Sequence, residues 1–355
     1  MDTFIIAEAG VNHNGSLPMA LALVDAAAEA GADAVKFQTF RADTLVSRDA
    51  PKADYQKRST DAAESQFEML RQLELSLADH QALAAHAAAR GVVFLSTPFD
   101  LDSLQLLIGT FAMRTIKVSS GDITNAPFLL GIARCAGSVI LSTGMCALAE
   151  VEAALGVLAF GFTRDAGLRP ARGSFEEAFC SAEGQEALRE RVMLLHCTTE
   201  YPAPFAEVNL RAMDTLAQAF GLRVGYSDHT PGIHIPVAAV ARGAAVIEKH
   251  FTLDRGLPGP DHKASLEPGE LRAMVAAIRD VEASLGDGVK RPTASEWKNR
   301  LVARKSLVAS RATAEGEPLV LACKRPGSGV SPFEFWNRDG RPAGRAYATD
   351  ESLDP

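Results

Sequence analysis

The chain has 355 residues, 47% of them apolar, and a net charge of −8 with acids and bases interspersed. Such a composition predicts a globular fold of one large and one small domain, and the lack of a basic stripe argues against a nucleic-acid partner. No stretch of about 18 uninterrupted apolar residues occurs and the start MDTFIIAEAG lacks the basic opening of a signal peptide, so a cytoplasmic protein away from membranes is expected.

The first apolar run, Phe4 to Ala7, ends at Glu8 and is followed by the turn AGVNHNGS. Pro18 then opens an alanine-rich helix to Ala30 that Gly31 closes, and Asp33 to Phe37 is the next strand, with Lys36 and Gln38 on alternate positions. The polar stretch from Arg41 to Ser65 shows no period; a loop of that length predicts a lid over a substrate site. A helix from Leu77 to Arg90 leads to the strand Val92 to Leu95, followed by Ser96, Thr97 and Pro98 and by a short helix after Asp100. Thr115 to Val118 is a strand carrying Lys117, and SSGD, Ser119 to Asp122, leaves its end. A helix near Phe128 to Cys135 precedes the strand Ser138 to Leu141, which finishes in Ser142, Thr143 and Gly144. After a helix from Leu148 to Phe160, Thr163 to Glu190 looks like an insertion with its own helix. Val192 to Leu195 ends in HCTTEYP, a helix covers Asn209 to Phe220, and the strands Leu222 to Tyr226 and Ala245 to Glu248 flank a helix opened by Pro231 and closed by Gly243. The last helix of the series is Pro268 to Leu285.

Eight short strands alternating with helices are the pattern of a (β/α)8 barrel of the α/β class, predicted over residues 1–285. A polar linker is expected over 286–302, and 303–355, with apolar runs at Ser306 to Ala309 and Pro318 to Ala322, reads as a small, mainly β module. That module is too small for a large core and is expected to lean on the barrel or on a second subunit. The five cysteines (135, 146, 180, 197 and 323) show no C-x-x-C spacing, so they predict neither a disulfide framework nor a thiolate zinc site; they are expected reduced and mostly buried. Cys197, beside His196, is a candidate nucleophile.

Strands of a closed barrel point their carboxyl ends at one shared face, where such folds place their chemistry. His229 and His250 leave neighbouring strand ends, and two neutral imidazoles with Asp228, Glu248 or Asp261 nearby suit one divalent ion. A histidine after a strand can equally cap a helix or satisfy a turn. Lys36 and Lys117, with the hydroxyls and backbone amides of Ser142 to Gly144, suit a phosphate, although each lysine alone could pair with Glu8 or Asp122.

The ordered motifs IIAEAGVNHNG (5–15), AVKFQTF (34–40), STPFD (96–100), IKVSSGD (116–122), LSTGM (141–145), HCTTEYPAP (196–204), GYSDHT (225–230), IEKHFT (247–252) and GPDHKAS (259–265) span most of the chain. On them the sequence resembles the sialic acid synthase family, and ARKSLVA and KRPGSGVSP in the tail resemble that family's antifreeze-like (SAF) domain. The resemblance implies condensation of phosphoenolpyruvate with an N-acetylated mannose-type sugar, either N-acetylmannosamine or 2,4-diacetamido-2,4,6-trideoxymannose, and a divalent metal, with Mn2+ first and Mg2+ or Co2+ as alternatives. It implies His229 and His250 as metal ligands, and Lys36, Thr97, Lys117, Ser120 and Ser142 around phosphoenolpyruvate. Glu8, Gln38, Asp122, Tyr201 and Asp261 would orient the sugar or handle water and protons, with Glu8, Asp122, Lys117 and Tyr201 as the catalytic set. Arg325 matches an arginine that reaches the sugar's N-acetyl group in a partner's barrel, which implies a domain-swapped homodimer. STPFDLDS and AEAGVNHNG lean toward the legionaminate branch. Against the family pattern, the 163–190 insertion is long and the tail after Trp336 is short, so incomplete final strands are expected. The competing readings are a lysine Schiff-base aldolase using Lys36 or Lys117 and a non-catalytic sugar- or ice-binding protein.

Overall fold

Alternating apolar residues decide the architecture. Along the first strand Ile5 and Ala7 face the surrounding helices, whereas Ile6 joins Ala34, Leu95, Ile140, Met193, Leu195 and Val246 in a plug inside the sheet. The computed structural model, which describes residues 2–60 and 64–355, builds eight parallel strands from these runs. They are β1 (Phe4–Gly10), β2 (Ala34–Thr39), β3 (Val93–Pro98), β4 (Thr115–Val118), β5 (Ser138–Ser142), β6 (Val192–Cys197), β7 (Arg223–Asp228) and β8 (Val246–His250). Their ladder runs β3-β2-β1-β8-β7-β6-β5-β4, and β3 packs against β4 to close the barrel. The sheet is the predicted α/β barrel, and its layers leave Glu8, Lys36, Thr97, Ser142 and His250 above the apolar plug.

Helices cover the outside. α1 (Leu17–Ala30) starts at a Ser16 cap and ends at Gly31, whose φ of 80° suits a residue without a Cβ. Its buried face is mostly alanine, which lets the helix lie close to the sheet. The stretch 41–65, expected to be a loop over the substrate site, contains α2 (Ala42–Leu45) and α3 (Asp54–Ser59), its residues 61–63 lie outside the described residues, and α4 (Gln66–Gln72) follows. Short polar helices of this kind have too little apolar periodicity to be seen in sequence; a small core of Val11, Phe40, Met69 and Leu73, with Leu45 packed against it, supports α2 and α4. Then come α5 (Leu77–Arg90), α6 (Leu101–Gly109), α7 (Ala126–Cys135) and α8 (Leu148–Thr163).

The 163–190 insertion forms two helices rather than one, α9 (Ser174–Cys180) and α10 (Ala182–Arg191). Its role is a second outer layer. Consecutive buried residues from Ala154 to Gly161 make α8 apolar all round, which a surface helix could not afford, and α9 covers its outer side. Phe160 and Phe175 meet edge to face at 5.5 Å, and a Cβ on Gly156 would stand 2.9 Å from the Phe175 carbonyl oxygen. The barrel is completed by α11 (Ala212–Phe220), α12 (His234–Ala241) and α13 (Pro268–Leu285); α12 begins three residues after Pro231.

Residues 286–355 form a separate compact unit. Part of the expected linker is helical: α14 (Ala294–Ala303) starts at Thr293, whose side chain accepts from the Glu296 amide while Glu296 accepts in return. β9 (Ser306–Ala309) and β10 (Leu321–Lys324) pair antiparallel, and α15 (Phe335–Arg338) follows. The tail beyond Trp336 takes full part in this unit, because Ala343, Tyr347 and Leu353 are buried in its core with Leu307 and Leu321. The cysteines differ from expectation: Cys135 and Cys180 are exposed, Cys146 and Cys323 half-buried, and Cys197 alone is buried among the described residues.

Candidate active site

The carboxyl ends of the strands surround a cavity of about 370 Å³. Glu8, Lys36, Gln38, Thr97, Lys117 and Ser142 reach it from β1 to β5, Ser120 from the turn after β4, and Tyr201 from the loop after β6. His229 follows β7, His250 ends β8, and Asp261 lies on the loop beyond. One predicted residue of the barrel stands elsewhere. Asp122 is not among the lining residues; its carboxylate accepts from the Ser119 hydroxyl at 2.7 Å and from Asn125 at 3.5 Å, closing its own turn. Arg325 belongs to the second unit and is exposed after β10.

Four buried charges occupy the floor. Lys36 Nζ lies 2.6 Å from Glu8 and 3.6 Å from Glu248, while Lys117 Nζ lies 3.7 Å from Glu248. Both ammonium groups also donate to hydroxyls, Lys36 to Thr97 at 2.9 Å and Lys117 to Ser142 at 2.7 Å. The lysines therefore do pair with carboxylates, but Lys117 uses Glu248 and not Asp122. Burial pushes Glu8 up to about 7 against the pull of Lys36. Burial works on Glu248 in the same sense, yet Lys117, Lys36 and the Ser227 hydroxyl hold it down at about 2. The two carboxylates thus divide the work: Glu248 is a fixed anion, and Glu8 can exchange a proton near neutrality. Burial pushes the Lys117 ammonium below its ordinary value, whereas Glu248 and Glu8 overcome the same burial at Lys36 and raise it.

The two imidazole rings lie with centroids 5.6 Å apart, both lining the cavity. His229 Nδ1 is 2.6 Å from the Thr198 carbonyl oxygen, which only accepts, so this nitrogen carries the proton and Nε2 keeps its lone pair. His250 Nδ1 is buried with no hydrogen-bond partner among the described residues, and Asp261 Oδ2 is 3.9 Å away. Burial lowers both imidazoles, His250 further still through His229 and Lys36, so both are neutral. Tyr201 stacks on His229 at 4.2 Å and meets His250 edge-on at 5.5 Å. Among the described residues no group of three or more His, Cys, Asp or Glu could hold a metal ion. Two neutral nitrogens, one of them an unpartnered buried atom, still suit a cation that takes its other ligands from water or substrate. Gly10 keeps this corner open: its φ is 53°, and a Cβ there would sit 3.3 Å from both Glu8 Oε1 and His250 Cε1.

Sequence reasoning missed Ser227 and expected Glu248 beside a metal rather than beside the lysines, although strand alternation pointed to the place of both. Ser227 and Glu248 each precede a cavity histidine by two positions and share its face. The intervening residues face the other way: Asp228 Oδ2 lies 2.6 Å from Lys249 Nζ, and both side chains are fully buried. Asp228 also accepts from Tyr226 at 3.0 Å and from the Thr230 amide at 3.1 Å, and Lys249 donates to the Thr230 carbonyl oxygen. This pair ties β7 to β8 directly behind the two imidazoles. Asp228→Asn or Lys249→Met is expected to cost about 3–5 kcal/mol, because either leaves one uncompensated buried charge. Urea unfolding would check this, and a loss under about 1 kcal/mol would show that the pair is not needed to join the strands.

Buried cations, a carboxyl that titrates near neutrality and a pair of neutral imidazoles at the carboxyl rim define a barrel enzyme that handles an anionic substrate. The chain belongs to the NeuB family, whose model matches residues 23–290. It is 49% identical to the N,N'-diacetyllegionaminic acid synthase of Campylobacter jejuni, covering 99% of this chain and 98% of that one. Identity to the Legionella pneumophila protein of the same name is 46%, over 95% and 89%. Among solved structures, the N-acetylneuraminic acid synthetase of Leptospira borgpetersenii, in complex with citrate, matches with a TM-score of 0.67 and 32% identity over 84% of this chain and 90% of that one.

Proposed function

We propose that the enzyme condenses phosphoenolpyruvate with 2,4-diacetamido-2,4,6-trideoxymannose, releasing phosphate and giving N,N'-diacetyllegionaminate. The observation that carries this reading is the end-to-end likeness to the two legionaminic acid synthases. The site supports it. Lys36 and Lys117, with the hydroxyls of Thr97, Ser120 and Ser142, offer charge and donors for the phosphate and carboxylate of phosphoenolpyruvate. Ser120 is held in place by the Gly144 amide, which donates to its Oγ at 3.0 Å.

An arriving anion competes with Glu8 for Lys36, and its negative charge raises Glu8 further. Glu8 then takes up a proton, frees Lys36 for the phosphate and holds that proton beside the carbonyl oxygen that must receive it when the enol carbon attacks. Gln38 Nε2, 3.5 Å from Glu8 Oε1, steadies the carboxyl. His229 Nε2 and His250 Nδ1, with Asp261 close by, would hold a divalent cation, manganese before magnesium or cobalt, which when bound polarises the aldehyde. The reaction needs no covalent enzyme intermediate: water adds at the cationic carbon and phosphate leaves. The family resemblance further supports a domain-swapped homodimer in the cytoplasm, with Arg325 of one copy serving the acceptor in the other.

Parallel assays with phosphoenolpyruvate and Mn2+ test the assignment. Phosphate release and the product mass of N,N'-diacetyllegionaminate are expected with the diacetamido sugar, at about tenfold or more the efficiency on N-acetylmannosamine. No phosphate release with either sugar would end it. The Schiff-base reading draws on one observation, the lowered Lys117 ammonium. Borohydride with substrate present is expected to leave Lys117 unmodified; a reduced adduct there would favour the aldolase.

A further inference from the structure

One side chain joins the end of β1 to the loop beyond β8. Asn12 sits in the turn after Gly10, where its backbone amide donates to the Ala9 carbonyl oxygen at 2.9 Å, and it is 1% exposed. Its Nδ2 lies 2.8 Å from the Phe251 carbonyl oxygen and 2.8 Å from Ser265 Oγ. A carbonyl oxygen only accepts, so the nitrogen end of the amide faces Phe251 and its second N–H points at Ser265. Ser265 Oγ then accepts, and its own proton goes to the Asp261 carbonyl oxygen at 2.6 Å. The donors therefore run one way, from Asn12 through Ser265 to Asp261.

Both ends of this relay bear on the imidazole corner of the cavity. Phe251 directly follows His250, and Asp261 Oδ2 stands 3.9 Å from His250 Nδ1. The loop that carries Asp261 is pinned at its base, where the Thr252 amide donates to the Leu266 carbonyl oxygen at 2.8 Å and the Leu266 amide to that of His250 at 2.9 Å. Asp261 lies away from that base. Its carbonyl oxygen also accepts from the Ala264 amide, at 3.2 Å, so the Ser265 hydroxyl is the shorter of the two hydrogen bonds there. Asn12 Oδ1 is buried with no partner among the described residues. A side chain kept only to stabilise a turn would have its oxygen paired as well; in this one the placement of the two N–H groups takes precedence.

We infer that Asn12 is a positioning residue: acting through Ser265, it fixes the Asp261 carboxylate beside His250 and so sets how tightly this corner holds a divalent cation. This rests on the functional reading above and adds to it two residues, neither of which lines the cavity. Groups that orient the residues around a metal typically matter by about 10–100-fold in affinity or activity.

Calorimetric titration with Mn2+ and steady-state kinetics on Ser265→Ala and Asn12→Asp test the inference. Ser265→Ala removes the last step of the relay. Asn12→Asp keeps the shape but presents an acceptor, which draws the Ser265 proton away from Asp261. Each variant is expected to bind Mn2+ about tenfold more weakly and to lose about tenfold in kcat, while KM for phosphoenolpyruvate stays within about twofold because Lys36 and Lys117 lie outside the relay. A merely structural role would add its cost to any background. In Asp261→Ala, by contrast, adding Ser265→Ala should weaken Mn2+ binding no further, since its effect passes through the carboxylate already removed. Wild-type Mn2+ affinity in folded Ser265→Ala or, should that variant not fold, in Asn12→Asp would overturn the inference and leave the proposed reaction standing. So would a full tenfold loss that Ser265→Ala still adds in the Asp261→Ala background. A wild-type enzyme that binds no Mn2+, or releases no phosphate with either sugar, would instead remove the functional reading and this inference with it.

Discussion

Glu248→Gln is expected to lower the unfolding free energy by about 3–5 kcal/mol and to make the folded state depend on bound anion. Glu248 stands 3.6 Å from Lys36 and 3.7 Å from Lys117, and both lysines are buried. Without it, two ammonium groups share the single carboxylate of Glu8, which also loses the Glu248 charge that helps to raise it. Inorganic phosphate or phosphoenolpyruvate would supply the missing negative charge. The variant should therefore gain more thermal stability from either anion than the wild type does; saturation at about 100 times Kd is worth about 2.7 kcal/mol. Turnover should fall about 10²–10³-fold, because the charge pattern that receives the substrate is lost. Ser227→Ala is the control: it removes one hydrogen bond of 2.8 Å to Glu248 and should cost only about 1 kcal/mol. If phosphate stabilises the wild type and the variant equally, Glu248 is not the counterion of the lysine pair.

Much of this arrangement can be read from the chain because a parallel barrel converts sequence position into place. Any polar residue that follows a short apolar run lies at the rim, which is why Glu8, Lys36, Thr97, Lys117, Ser142, His229 and His250 come together although 242 positions separate the first from the last. What resists reading is the direction in which a rim side chain turns. Asp122 sits at the rim, yet Ser119 and Asn125 are its nearest donors and draw its carboxylate into a local turn. Glu248 looks from sequence like one more metal-side carboxylate, but two lysines from strands far away in the chain claim it. The short helices after β2 were illegible for a different reason: α2 and α3 are four and six residues long, too short to show a period. The placement of α2 depends on tertiary packing of Leu45 against the cluster of Val11, Phe40, Met69 and Leu73.

His250→Ala should separate chemistry from folding most cleanly. The Nδ1 atom has no hydrogen-bond partner among the described residues, so the substitution breaks no hydrogen bond at that atom and opens space into a cavity that water already reaches. Stability should change by less than about 1–2 kcal/mol. Turnover should fall by about 10³-fold or more, since the proposed cation would lose one of its two nitrogen ligands. Calorimetric titration with Mn2+ gives a readout that does not depend on turnover: binding should weaken at least about 10–100-fold. Chelator treatment of the wild type should abolish activity and added Mn2+ restore it, whereas Mn2+ should not restore the variant. His229→Ala makes the contrast, because His229 also donates to the Thr198 carbonyl at 2.6 Å. It should lose the same function and about 1 kcal/mol of stability besides. Wild-type Mn2+ affinity in His250→Ala would mean that the unpartnered nitrogen faces no cation, and the aldehyde would then have to be polarised by Glu8 and Lys36 alone.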